Sequence, residues 1–169
     1  MQFGFTAVTA PPAQARDWRW AIEDFNTEYA AVLDAGKVAD WPAFFTEDAL
    51  YRITGRENAD ANLPVGLVYC EGMGMLKDRA LAIATTMMFA PRYLQHQTSD
   101  VRVLAVEGDA ATATTNYALY ETLVDEPTRL QQLGRYHDRF VKRDGRLLLK
   151  ERHVVYDSLT IDTALIYPV

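Results

Sequence analysis

Apolar residues recur at helical spacing over the first part of the chain. Trp18, Ile22, Phe25, Tyr29 and Val32 are separated by four, three, four and three residues. That is the stripe of an amphipathic helix, and it predicts a helix over residues 15–35. Gly36 follows as an αL cap. Asp40 stands at an N-cap position with Pro42 in the first turn of a short helix, whose buried face would be Trp41, Phe44 and Phe45. Residues 46–48 read as a turn and 49–54 as a strand. Residues 55–64 are polar and turn-rich, 66–70 a short strand, and 71–88 a third helix with Met73, Leu76, Ala80, Ile83 and Met87 on one side. Pro91 ends that element.

The period then changes. Residues 101–107 are β-branched and apolar, Gly108-Asp109 makes a turn, and residues 110–122 alternate as a half-buried strand does. After a loop at 124–128, two long alternating runs, 130–143 and 146–158, flank Asp144-Gly145, a strong hairpin signal. Helices come first and an antiparallel meander later, so the class is α+β. This order resembles the NTF2-like (cystatin-like) cone, a curved antiparallel sheet with three helices from the N-terminal half packed on one face.

A two-residue hairpin loop sets Arg143 opposite Arg146. Continued without interruption, that register puts His137 opposite Arg152 and Tyr136 opposite His153, so the two histidines fall on opposite faces of the sheet. It also puts Asp138 opposite Glu151 and Arg139 opposite Lys150, which are unfavourable like-charge pairs. Either a bulge shifts the register or solvent relieves the pairs, or cations from a partner or the loops relieve the carboxylates.

Length and composition narrow the classes. A chain of 169 residues suggests one domain, expected over 15–169, preceded by a flexible arm at 1–14 that ends with Pro11 and Pro12. Hydrophobic residues make up 49% of it, ample for a core. The net charge of −6 argues against nucleic acid. One cysteine, Cys70, leaves no intrachain disulfide and no Cys-ligated cluster. No apolar run approaches a membrane span, and the N-terminus lacks the basic and apolar regions of a secretory signal. A cytoplasmic location follows by default.

Candidate chemistry is sparse. His96, His137 and His153 belong to no metal-binding spacing, and the register above keeps the last two apart. An acid–base pocket is the alternative, because Asp48, Tyr51, His96, Tyr117 and His137 could project into a cone. That would make the chain a free-standing isomerase, dehydratase or hydrolase. Gly72 and Gly74 do not form a dinucleotide loop, since the third glycine and the long preceding strand are missing. The methionines at 73, 75, 87 and 88 and Cys70 read as core. The apolar tail at 165–169 packs either across the mouth of its own cone or at a subunit interface.

Several segments carry a family resemblance. Residues 34–41, Phe44-Phe45 and 48–51 resemble the opening of the small (beta) subunits of aromatic ring-hydroxylating oxygenases. His96 with Asp100-Val101-Arg102-Val103 is similar to the family's entry into the sheet, with Gln95 where the family has Arg. Gly134-Arg135-Tyr136 with Asp138, and Arg152 with Tyr156-Asp157, resemble its last two strands. Arg56-Glu57-Asn58, Leu63-Pro64, Glu71 through Met75, Asp78-Arg79 and the Ile-Tyr-Pro of 166–168 look closest to the terephthalate dioxygenase and salicylate 5-hydroxylase small subunits. The resemblance implies a non-catalytic subunit without a cofactor of its own. Its large (alpha) partner would carry a Rieske [2Fe-2S] cluster and a mononuclear Fe(II). The assembly would be an α3β3 hexamer fed from NAD(P)H through a reductase or ferredoxin, acting on an aromatic carboxylate. Arg135, Arg139, Arg152, Ile166 and Tyr167 are the candidate interface residues. Pairing within the sheet is the competing role for the arginines.

Overall fold

The computed structural model describes residues 3–64, 66–158, 160–161 and 165–169. Helix α1 spans Pro12–Asp34, three residues earlier than predicted, because Pro12 suits the first helical turn. Trp18, Ile22, Phe25 and Tyr29 are buried as expected, but Leu33, not Val32, completes the stripe. Gly36 has φ 70°. Its N–H donates to the Leu33 carbonyl and the Lys37 N–H to that of Val32, the pairing of a Schellman stop. The short helix is a 3₁₀ segment, Val38–Phe44. Strand β1 follows at Phe45–Gly55, then α2 at Arg56–Asp60, where a loop was predicted, and β2 at Val68–Glu71. Helix α3 is Gly72–Thr85 and ends before Met87 and Met88, which are exposed. The meander is β3 Arg92–Glu107, β4 Ala110–Leu123, β5 Arg129–Arg143 and β6 Arg146–Tyr156.

The six strands run in the order β2-β1-β6-β5-β4-β3, antiparallel except for the parallel pair β1–β6. This is the α+β sheet-and-helix architecture expected. The helices cover one face. Phe25 of α1 meets Phe140 of β5 edge-on at 5.2 Å. Trp41 packs edge-on against Phe45 and Tyr51 at 5.3 and 5.0 Å.

Asp144 and Gly145 both have positive φ, the two-residue turn predicted, and Arg143 pairs with Arg146. The register then slips. Phe140 pairs with Leu149 but Arg139 pairs with Glu151, so Lys150 is an extra residue in β6. From there the expected pairs are replaced: Arg139 faces Glu151, Asp138 faces Arg152 and His137 faces His153. Like charges become opposite charges, and the two histidines share a face.

Parts of the segment expected as a flexible arm touch the sheet, while residues 4–9 are exposed. The N–H groups of Thr9 and Ala10 donate to the Leu104 carbonyl, and Phe3 is buried with Ala59 and Val155. Met1 and Gln2, the start of the predicted arm, lie outside the described residues.

Candidate functional site

Two polar neighbourhoods lie on opposite faces of the sheet. On the helix-covered face, Arg152 of β6 and Asp138 of β5 point inward. Arg152 Nε donates to Asp138 Oδ1 at 3.0 Å and its Nη2 to Oδ2 at 2.8 Å. Nη2 also reaches Asn26 Oδ1 of α1 at 2.7 Å. The guanidinium lies between the rings of Tyr29 and Tyr136, 4.4 and 4.1 Å from their centroids. Burial works against its charge, but Asp138 holds it above the ordinary arginine value. Burial also pushes Asp138 up, against the pull of Arg152. A bidentate pair with matched charges suits such a site.

Beside that pair the cone is filled. Trp41 Nε1 donates to Tyr29 Oη at 2.8 Å, and Tyr29 Oη and Tyr51 Oη each donate to the Val169 carbonyl oxygen at 3.2 Å. The Val169 N–H donates back to Tyr51 Oη at 2.9 Å. Tyr29, Trp41, Tyr51 and Val169 are all 1% exposed or less. Burial raises both phenols, Tyr51 well above its usual value. The tail therefore packs into its own cone. Ile166 is buried in the same core, its carbonyl bonded by Arg79, and Tyr167 meets Phe89 edge-on.

His96 sits at the seam of α1 and β3. Its Nδ1–H donates to Asp34 Oδ1 at 2.6 Å, and its main-chain N–H also donates to that carboxylate. Nε2 is buried without a hydrogen-bond partner among the described residues.

The other neighbourhood faces away from the helices. His137 and His153 stand opposite one another, and Phe3 meets both imidazoles edge-on at 5.1 and 5.2 Å. Arg52 Nε donates to His153 Nε2. Burial, then Arg56 and Arg135 nearby, pushes His137 down to about 4. Burial, then Arg52 and His137, pushes His153 down to about 3. Both rings are therefore neutral near pH 7. At one end of this face Tyr93, Leu130 and Leu133 lie exposed, at 76%, 48% and 41%.

The predicted acid–base set does not converge. Asp48 is on the surface beside Lys150, which lowers its pKa. Tyr51 is in the filled core, Tyr117 bonds Gln132 there, His96 is tied to Asp34, and His137 is on the opposite face. Among the interface candidates, Arg152 lies in the core with no exposed surface, while Arg135 and Arg139 lie on the open face. Arg139 is 4.0 Å from Glu151. No group of three or more His, Cys, Asp or Glu able to hold a metal occurs among the described residues. The sequence reading missed Asn26, Asp34, Arg52 and Phe3. The stripe periodicity put Asn26 and Asp34 on no apolar face, and no local pattern marks their partners 62 to 126 residues away.

Residues 14–153 match the SnoaL-like domain. The chain is 32% identical to the anthranilate 1,2-dioxygenase small subunit of Burkholderia cepacia, over 85% of this chain and 89% of that one. It is 31% identical to a terephthalate 1,2-dioxygenase terminal oxygenase beta subunit of Comamonas sp., over 87% and 96%. A crystal structure assigned as the beta subunit of an aromatic-ring-hydroxylating dioxygenase from Novosphingobium aromaticivorans superposes with a TM-score of 0.84 at 36% identity, covering 91% and 98%. The chain belongs to the small-subunit family of aromatic ring-hydroxylating dioxygenases. A scytalone dehydratase-like structure from the same Novosphingobium strain, 22% identical with a TM-score of 0.67, shows the fold alone. Within the small-subunit family, the Gly134-Arg135-Tyr136 segment has a plain structural reason here. A Cβ on Gly134 would stand 2.1 Å from the Val155 carbonyl oxygen of the paired strand.

Proposed function

We propose that this chain is the non-catalytic small subunit of a multicomponent oxygenase that hydroxylates an aromatic carboxylate, and that it works as a scaffold for the large subunits. The observation that carries the scaffold reading is the filled cone. Where a pocket enzyme of this fold would hold substrate, Tyr29, Trp41, Tyr51 and Val169 close the space with hydrogen bonds to one another. The aromatic-acid class is supported by relatives named for anthranilate and terephthalate.

The iron groups implied for such an oxygenase do not fit this chain. A Rieske cluster needs two cysteines and two histidines, and Cys70 is the sole cysteine. A facial triad needs two histidines and a carboxylate around an open position. His137 and His153 are instead closed off by Phe3 and Arg52, and His96 is bound to Asp34. Both groups belong, in this reading, to the large subunit of an α3β3 assembly in the cytoplasm, fed from NAD(P)H through a reductase or ferredoxin. The exposed Tyr93, Leu130 and Leu133, with Arg135 and Arg139 on the same face, offer the mixed aromatic, apolar and arginine surface that partner contacts favour.

The test is to express the large oxygenase subunit from the same source with and without this chain. A soluble, active oxygenase obtained only with both chains, together with no turnover of aromatic acids by this chain alone, supports the scaffold role. Turnover by this chain without iron or an electron donor overturns it.

A further inference from the structure

We propose that the open face of the sheet carries a binding site for a small aromatic carboxylate, held between residues 3–6 and the pair Arg102 and Arg135. A cavity of about 340 Å³ lies there, within the size range of small-molecule sites. A second cavity of about 260 Å³ adjoins it along Thr6, Leu104, Thr114 and His137. Neither is part of the cone interior.

The polar side of the cavity is organised. Ser99 and Asn116 both donate to Asp100 Oδ2 at 3.1 Å. Asn116 Oδ1 in turn accepts from Arg135 Nε at 3.1 Å. The relay fixes the Arg135 guanidinium through its inner nitrogen and leaves both terminal nitrogens without a hydrogen-bond partner among the described residues. That free fork matches the two oxygens of a carboxylate. Arg102 gives one terminal nitrogen to the Thr6 carbonyl at 3.2 Å, and its guanidinium lies 5.0 Å from the Phe5 ring centroid. The floor is His137, 6% exposed, whose Nε2 also has no partner among the described residues.

Charge and shape select the ligand class. Two arginines against one aspartate, with a neutral histidine, leave a lining that suits a monoanion rather than a phosphate ester. Phe3, Phe5 and Leu104 supply apolar walls for a flat ring. The site requires neither the large subunit nor iron, and because Arg135 also belongs to the face offered to the large subunit it is tested on this chain alone.

The experiment is a titration of the full chain with benzoate, and with benzyl alcohol as the uncharged control, following the amide resonances of Gly4, Thr6, Thr114 and His137. The expected result is a saturable benzoate response confined to these positions, at least about tenfold weaker for benzyl alcohol and about tenfold weaker in Arg135→Gln and in Arg102→Gln. Both arginines are surface residues, and an unchanged Trp41 indole resonance confirms that each variant is folded. Asn116→Ala, which frees the guanidinium from its relay, is expected to weaken benzoate binding as well. No saturable response, equal binding of benzyl alcohol, or unchanged affinity in both arginine variants overturns the proposal.

Discussion

Asp138 stands directly opposite Arg152 in a bidentate pair with no exposed surface on either side chain, and it does so because Lys150 is an extra residue in β6. One residue of slip replaces two like-charge pairs by two opposite-charge pairs, one of them at the centre of the core. Arg152→Met would leave Asp138 buried without its partner. The expected cost is about 3–5 kcal/mol, read from urea unfolding at pH 7. A double substitution, Asp138→Leu with Arg152→Met, should recover most of that loss, since an apolar pair of similar volume avoids the stranded charge.

Deleting Lys150 would restore the uninterrupted hairpin register. Glu151 would then follow Leu149 directly, so Arg139 would still face Glu151 and Asp138 would still face Arg152, each on its present face of the sheet. Retention of the folded state by circular dichroism is the expected outcome, with the strand straightened where the bulge was. Lys150→Ala keeps the register and should cost little, because it removes only the surface contact with Asp48.

Gly134→Ala tests the close approach of β5 and β6. Its Cβ would fall 2.1 Å from the Val155 oxygen and 2.7 Å from Tyr156 Cα, both backbone atoms. A destabilisation of about 2–4 kcal/mol is expected by thermal or urea unfolding. Gly74→Ala, whose Cβ meets nothing within 4 Å, is the control and should be neutral or stabilising within α3.

The paired imidazoles make stability depend on acid. His137 and His153 have folded pKa values of about 4 and about 3, below the unfolded value near 6.5. Above that unfolded value both states are neutral, and the contribution is fully present. As pH falls from about 6.5 toward 4, the unfolded chain takes up protons that the folded chain refuses, and stability is lost by up to about 1.4 kcal/mol per pH unit for each group. Unfolding free energies measured from pH 7.5 to 4.5 should show this slope. His137→Gln with His153→Gln should flatten it. Phe3→Ala, which uncovers both rings, should raise their pKa values toward 6.5 in an NMR titration.

The legible part of the molecule was the part governed by short-range pattern. The α1 stripe, the Gly36 stop and the Asp144-Gly145 turn each depend on a few neighbouring residues, and each stands where the spacing put it except that Leu33 takes the place of Val32 at the end of the stripe. The Lys150 bulge was legible only in part: the like-charge pairs of the uninterrupted register made a bulge one of the alternatives, but nothing in the alternation says where the extra residue sits. It carried the errors downstream, placing His137 and His153 on opposite faces and Arg152 opposite the wrong residue. Phe3 was hidden for another reason. An apolar residue in a short segment ahead of a helix has no period, and only the sheet surface it lands on makes it a core residue. The set of Asp48, Tyr51, Tyr117, His96 and His137 failed as a pocket because residue type alone does not report which face of a strand a side chain takes.

In the proposed scaffold role, this chain holds an iron oxygenase together without touching its chemistry. The most direct test of that role is metal and mass analysis of the complex formed with the large subunit, first intact and then separated under mild denaturant. The expected result is a mixed oligomer with equal numbers of both chains, all of its iron and its Fe–S absorption remaining with the large subunit, and a colourless small chain that restores activity on reassembly. Iron bound by the separated small chain, or a fully active large subunit that forms no complex with it, would overturn the scaffold role.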